Sequence, residues 1–139
     1  MANFWLCLGV ILSSSVLLSS AGLPGGPIKI DPSRSDVQDA ASYAMTAFNG
    51  KSENEYLYKL LKVESAESQV VAGIKYKLKV KVGLTQCKKG STDNAASCRL
   101  QNTSGQPRIF LCKFVVLDQS WVQEKSLLES LCEPAGQSF

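Results

Sequence analysis

The sequence predicts an α+β domain in which one early helix is followed by about four antiparallel strands. Apolar residues recur at helical spacing from Val37 to Phe48. From Tyr56 onward the period changes to two, and residues 74–82 alternate apolar residues and lysines without a break. A single helix followed by strands that short turns connect is typical of an antiparallel sheet covered on one face.

Residues 1–21 have the pattern of a secretory signal peptide. They carry no charged side chain, residues 4–18 are mostly apolar, and the small residues Ser19, Ser20 and Ala21 precede the expected cleavage site. The apolar run is interrupted by three serines and is shorter than the ~20 residues that a membrane-spanning helix needs. We therefore expect a secreted, extracellular protein, without membrane insertion, whose domain covers residues 22–139.

The cysteines predict two disulfides. Cys7 leaves with the signal peptide, and the four that remain are Cys87, Cys98, Cys112 and Cys132. An even number in a small secreted chain indicates disulfides, and of the three possible pairings the sequential one, Cys87–Cys98 with Cys112–Cys132, is favoured because it is local. A zinc site is not expected, since the spacings contain no C-x-x-C and the chain has no histidine.

Composition argues against an enzyme. Without histidine the chain lacks the commonest general base, and none of its 12 acidic residues lies in an apolar run that would raise a carboxyl pKa. No cofactor motif is present. The net charge of +3 is mildly basic and far from what nucleic-acid binding requires.

The first part of the domain divides into an arm, a helix and a strand. Residues 22–34 are rich in Gly and Pro and predict an extended, flexible N-terminal arm. Ser35 and Gln38 resemble a capping box that starts the helix, and Asn49-Gly50 marks its end. A rough strand then runs over residues 56–68.

The second part predicts hairpins and one long loop. Residues 69–73 are too few for anything but a tight turn, and the lysines of residues 74–82 are interpreted as a solvated face that discourages edge-to-edge aggregation. Residues 88–106 are predicted to form a surface loop that carries a glycosylation sequon at Asn102. Residues 109–117 form a strand, residues 118–120 a turn, and residues 122–132 either a strand or a helix.

Three features are unusual for a protein that only has to fold. Gly25-Gly26 is a flexible pair, Val70-Val71-Ala72 places apolar side chains on a hairpin tip, and Trp121 follows a second turn. Exposed apolar groups at turns predict a docking surface. The alternative is that Trp121 folds back into the core.

With these features in order, the sequence resembles the type 2 cystatins, secreted inhibitors of papain-like cysteine proteases. Residues 69–73, Gln-Val-Val-Ala-Gly, match the family's Q-x-V-x-G hairpin. Residues 23–27, Leu-Pro-Gly-Gly-Pro, are similar to its glycine-containing arm, and Trp121 lies where the family has the tryptophan of its second hairpin. The four cysteines complete the pattern.

The resemblance implies a sheet of roughly five strands wrapped around one long helix, with residues 122–132 as a strand. It also implies that arm, first hairpin and tryptophan hairpin enter the cleft of a cathepsin-type protease together, as a three-part wedge in a tight, reversible complex. The protease-binding residues would be Leu23, Pro24, Gly25, Gly26, Gln69, Val70, Val71, Ala72, Gly73, Ser120 and Trp121. A monomer is expected, with a domain-swapped dimer through a strained Val71 as the alternative.

The sequence departs from the family pattern in three places. Ser120 replaces a proline, which makes the second hairpin less rigid, and Pro24 replaces an aliphatic residue, which affects selectivity. Asn54 is shifted by one residue from the asparagine through which some relatives inhibit legumain. The alternative function is a non-inhibitory secreted module that uses its mildly basic surface on receptors or microbial membranes.

Overall fold

The computed structural model describes residues 26–92, 94–103 and 106–135. One helix and seven strands lie in these ranges: β1 (Ile28–Ile30), α1 (Ser35–Lys51), β2 (Tyr56–Val71), β3 (Gly73–Lys88), β4 (Asn102–Thr103), β5 (Gln106–Pro107), β6 (Ile109–Gln119) and β7 (Glu124–Pro134). Strands β4 and β5 pair only with each other. The signal peptide predicted at residues 1–21 lies outside the described residues.

The main sheet has five antiparallel strands in the order β1-β2-β3-β6-β7. The predicted α+β architecture, with one helix on a roughly five-stranded antiparallel sheet and two disulfides, is confirmed. Residues 122–132, left open by their irregular pattern, belong largely to strand β7, as the family resemblance implied.

Helix α1 packs one face of small residues against the inner face of the sheet. Ala40, Ala41 and Ala44 are fully buried there. Their short side chains let the helix axis approach the sheet, and the larger core volume comes from the strands opposite, chiefly Leu78 of β3 and Phe114 of β6.

The start of α1 differs from the prediction. Arg34 is the N-cap residue and makes no side-chain capping bond, so Ser35 is already helical and the predicted capping box is absent. Instead, Gln38 Nε2 donates to the Pro32 carbonyl at 2.8 Å. The helix ends at Lys51, close to the predicted Asn49-Gly50, and the Asn49 side chain makes two bonds of 2.9 and 2.8 Å with the backbone of Tyr58.

Two further expectations are corrected by strand pairing. Ile28–Ile30, placed in the flexible arm, forms edge strand β1 through its register with Ala66 to Ser68 of β2. Asp118 and Gln119, predicted as a turn, continue β6 and pair with Lys125 and Glu124. These residues are polar or close to prolines, so their local sequence does not predict a strand. Their strand conformation depends on pairing with residues distant in sequence.

Two disulfides connect the chain at different places. Cys112 and Cys132 are direct cross-strand partners in β6 and β7. Cys87–Cys98 closes the loop after β3, which contains a 3-10 turn at Ala95–Ser97.

Within the described ranges, no helix is long and apolar enough to cross a membrane. The same ranges contain no group of three or more His, Cys, Asp or Glu side chains that could hold a metal ion.

Candidate functional site

The two hairpin turns lie side by side at one end of the sheet. Strand β3 pairs with β2 on one side and with β6 on the other. The first turn is closed by the pair Val71–Gly73, and the next residue of β3, Ile74, pairs with Asp118 near the end of β6, just before the second turn. The register of the central strand therefore brings together residues that are about 50 positions apart in sequence.

A direct contact joins the two turns. Gln119 Nε2 donates to the carbonyl oxygen of Ala72 at 3.4 Å. The positive φ of the first turn is carried by Gly73, at 123°, and no positive φ occurs at Val71. Val71 therefore lacks the strained φ that we expected, because Gly73 takes the positive φ that a β-branched residue would resist.

The tips of both turns expose large apolar side chains, which we call the apolar end: Val70, Val71, Trp121 and Val122. Val70 is 73% exposed and Trp121 is 63% exposed. Trp121 does not fold back into the core, so this alternative is excluded. Exposure of such side chains to water is unfavourable, which makes the apolar end a candidate docking surface.

The second turn is a short 3-10 segment, Ser120–Val122. The backbone N–H of Gln123 donates to the Ser120 carbonyl at 3.2 Å, and Gln123 has a left-handed backbone with φ of 54°. Ser120 itself is exposed. This hydrogen bond and the contact of Gln119 with the first turn restrain the hairpin although proline is absent.

The N-terminal arm approaches the same end. Ile28 is in register with Ser68 of β2, so Gly26 and Pro27, the described residues before it, run toward Val70. Gly26 and Pro27 are exposed, and no atom lies within 4 Å of the position of a Cβ on Gly26. Leu23, Pro24 and Gly25, the other predicted site residues of the arm, lie outside the described residues.

The hydroxyl of Tyr76 connects the central strand to the start of α1, and the sequence analysis missed this contact. It donates to Asp36 Oδ2 at 2.9 Å, and Asp36 also pairs with Arg34 at 2.8 Å. Burial, together with the Asp36 carboxylate, raises the pKa of Tyr76 to about 12. The bond fixes α1 to β3 three residues from Gly73, beneath the apolar end.

Two further predicted positions lie away from the apolar end. The Oδ1 atom of Asn54 accepts a bond from the backbone N–H of Tyr56 at 2.8 Å, so this side chain is engaged locally. Asn102 is exposed at the start of β4, as a glycosylation site requires.

One helix on a five-stranded antiparallel sheet, with two disulfides and two adjacent apolar turns, defines a class of small proteins. Comparison with known families identifies this class: the cystatin domain model matches residues 25–121. The chain therefore belongs to the cystatin family, whose members are protease inhibitors rather than enzymes. This supports inhibition of cysteine proteases in general.

Individual relatives agree with the family. The chain is 34% identical to chicken (Gallus gallus) cystatin over 132 residues, covering 89% of this chain and 94% of the relative. It is 36% identical to rabbit (Oryctolagus cuniculus) cystatin-C over 116 residues, covering 84% and 78%.

Solved structures show the same fold. Dimeric human cystatin F is 28% identical with a TM-score of 0.73, covering 91% of this chain and 99% of that one. A salivary cystatin from the soft tick Ornithodoros moubata is also 28% identical, with a TM-score of 0.64 and coverage of 80% and 99%.

Proposed function

We propose that this protein is a secreted, reversible, tight-binding inhibitor of papain-like cysteine proteases of the cathepsin type. The observation that carries the proposal is the apolar end, where two adjacent turns present Val70 and Trp121 largely exposed. Large aromatic side chains that become buried in an interface are frequent hot spots of binding energy. A narrow edge with such tips fits a protease cleft.

The proposed binding mode requires no chemistry from the inhibitor. Gln69 to Gly73, together with Ser120 and Trp121, would enter the cleft as a preformed edge. Gln119 holds the two turns together, so little conformational entropy is lost there on binding. No inhibitor peptide bond would be presented to the catalytic cysteine, and the complex would dissociate with the inhibitor intact.

The arm would supply the third part of the proposed interface. Because the register of β1 directs the preceding chain toward Val70, Leu23 and Pro24 would reach pockets beside the cleft, with Gly25 and Gly26 giving the backbone the freedom to do so. We further propose that the chain acts as a monomer, since Gly73 and not Val71 carries the positive φ of the first turn, so strain at Val71 does not favour exchange of the hairpin between two chains.

A complex with papain provides the test. The mature protein, mixed with active papain, should elute in size-exclusion chromatography as a one-to-one complex, and intact-mass spectrometry after dissociation should show an uncleaved inhibitor. A variant lacking residues 22–25 should form the complex more weakly. Cleavage between residues 69 and 73, or no complex at all, would contradict the proposal.

A further inference from the structure

The outer face of the sheet carries a cluster of lysines, which we call the lysine face: Lys62, Lys75, Lys77, Lys79, Lys81 and Lys113. The alternate residues Tyr76, Leu78 and Val80 of β3 are buried against α1. The lysines between them therefore point to the opposite face. Lys113 of β6 and Lys62 of β2 pair with Lys79 and Lys81, so they lie on the same face.

The lysine face is not explained by protection of a sheet edge. Strand β3 is the central strand, with β2 and β6 hydrogen-bonded on either side. The interpretation that these lysines discourage edge-to-edge aggregation is therefore wrong for this fold. Its basis was the alternation of residues 74–82, which does not reveal where a strand lies in the sheet.

The arrangement concentrates positive charge at a cost to the fold. Lys79 lies directly opposite Lys113, and Lys81 directly opposite Lys62, and like charges in such positions destabilise a sheet. Within the described part of the chain, Lys81 alone among the six makes an ion pair, at 3.8 Å from Glu64. The other five ammonium groups are available to an anionic partner.

A groove lies at one side of the cluster. It has a volume of about 310 Å³ and lies between β6 and β7, with Lys79 and Lys113 among its lining residues. Leu111 and Leu131 also line it, together with Cys112 and Cys132, and Glu133 is the one acidic lining residue. An anionic group of a ligand could contact the ammonium groups of Lys79 and Lys113 there, beside the apolar side chains of Leu111 and Leu131.

The shape of the charged region favours a narrow, linear ligand. Alternate residues of a strand are about 7 Å apart, so Lys75 and Lys81 define a row of roughly 20 Å. Carboxylates border this row on both sides: Glu67 lies opposite Lys77 on β2, and Glu129 lies on β7 opposite Val115. A broad anionic membrane would face all of these carboxylates, whereas a single extended polyanion can follow the lysines of β3 and contact Lys113 beside them.

We propose that the lysine face binds a linear sulfated polysaccharide, with one sulfate held in the groove between Lys79 and Lys113. The sheet separates this surface from α1, and neither lysine belongs to the apolar end. The protein would therefore be concentrated on extracellular polysaccharide with its protease-binding residues free.

Heparin serves as the probe. The double variant Lys79→Gln/Lys113→Gln is compared with Lys51→Gln/Arg99→Gln, which removes the same charge from exposed positions outside the lysine face. The parent should elute from a heparin column at a higher NaCl concentration than from a sulfonate cation-exchange column. In titrations with heparin, the first variant should lose roughly tenfold in affinity and the second far less.

Inhibition of papain and the melting temperature should be unchanged in both double variants. These controls, measured on the same samples, establish that the variants are folded. Equal losses in the two double variants would mean that net charge alone drives binding and would overturn the proposal. Equal binding of desulfated heparin, or binding to phosphatidylserine vesicles without binding to heparin, would overturn it as well.

Discussion

The main-chain oxygen of Asp118 lies 2.7 Å from the position that a Cβ atom on Gly73 would occupy. These residues belong to the two hairpins of the apolar end, and their close approach requires a residue without a side chain. The φ of 123° at Gly73 adds a second requirement for glycine.

Gly73→Ala should therefore destabilise the fold and displace the two hairpins from one another. A strained backbone conformation costs about 1–3 kcal/mol, and the contact with a main-chain atom cannot be relieved by a rotamer change. We expect a lower free energy of unfolding in urea and weaker inhibition of papain. Gly26→Ala is the matched control for unfolding, since its Cβ would meet no atom within 4 Å; equal stability of the two variants would contradict the structure.

The Tyr76–Asp36 hydrogen bond should contribute to stability at neutral pH. Replacing Tyr76 with Phe removes a donor to a partly exposed carboxylate, which should lower the free energy of unfolding by about 1 kcal/mol. Tyr43→Phe is the control, because Tyr43 packs against the same core. A loss of equal size in both variants would indicate a packing effect rather than the hydrogen bond.

Burial of Tyr76, together with the same bond, predicts a dependence on alkaline pH. The pKa of Tyr76 is raised from 10.0 to about 12 in the folded protein, so its stabilising effect is complete below pH 10 and is lost as the pH rises through 12. An absorbance titration of tyrosinate should show one tyrosine titrating near pH 12. This transition should disappear in Tyr76→Phe; its persistence would assign it to another tyrosine.

Asp36 predicts the corresponding acid dependence. Burial opposes ionisation of Asp36, but hydrogen bonds from Tyr76 and Arg34 outweigh it and lower the pKa below the ordinary value of 3.8. The stabilisation is thus present above pH 3.8 and is lost as the pH falls through the lowered pKa. Asp36→Asn should be less stable than the parent at neutral pH, and this difference should shrink in acid, as urea unfolding at several pH values would show.

The Cys87–Cys98 disulfide should matter for stability and not for inhibition. It lies near the end of β3 farthest from Gly73, and it joins residues separated by 11 positions. Replacing both cysteines with alanine should lower the free energy of unfolding by about 3 kcal/mol in the chain-entropy model. The variant, if folded at the assay temperature, should inhibit papain as the parent does, whereas weaker inhibition would show that this loop affects the apolar end.

Local patterns were sufficient for the elements that bury one clear face. The alternation of residues 74–82 identified β3, and the small residues around Ala44 identified the face of α1 that approaches the sheet. In both cases the side chains that decide the structure are close in sequence.

Pairing between distant segments could not be predicted in the same way. The strand conformation of Ile28–Ile30 depends on β2, and that of Asp118 depends on β3 and β7. The motifs at residues 69–73 and at Trp121 were visible in the sequence, but their proximity follows from the register of β3 between them. The Tyr76–Asp36 bond, which spans 40 residues, left no local signal.

The most direct test of the central claim is a titration of papain, with a fluorogenic substrate, by the parent, Trp121→Ala and Leu128→Ala. Trp121 and Leu128 are similarly exposed, at 63% and 53%, but only Trp121 belongs to the apolar end. We expect tight, reversible inhibition by the parent, a loss of about 2 kcal/mol or roughly 30-fold for Trp121→Ala, and no change for Leu128→Ala. An absence of inhibition by the disulfide-bonded monomer, or equal effects of the two substitutions, would contradict the proposal that the apolar end binds the protease.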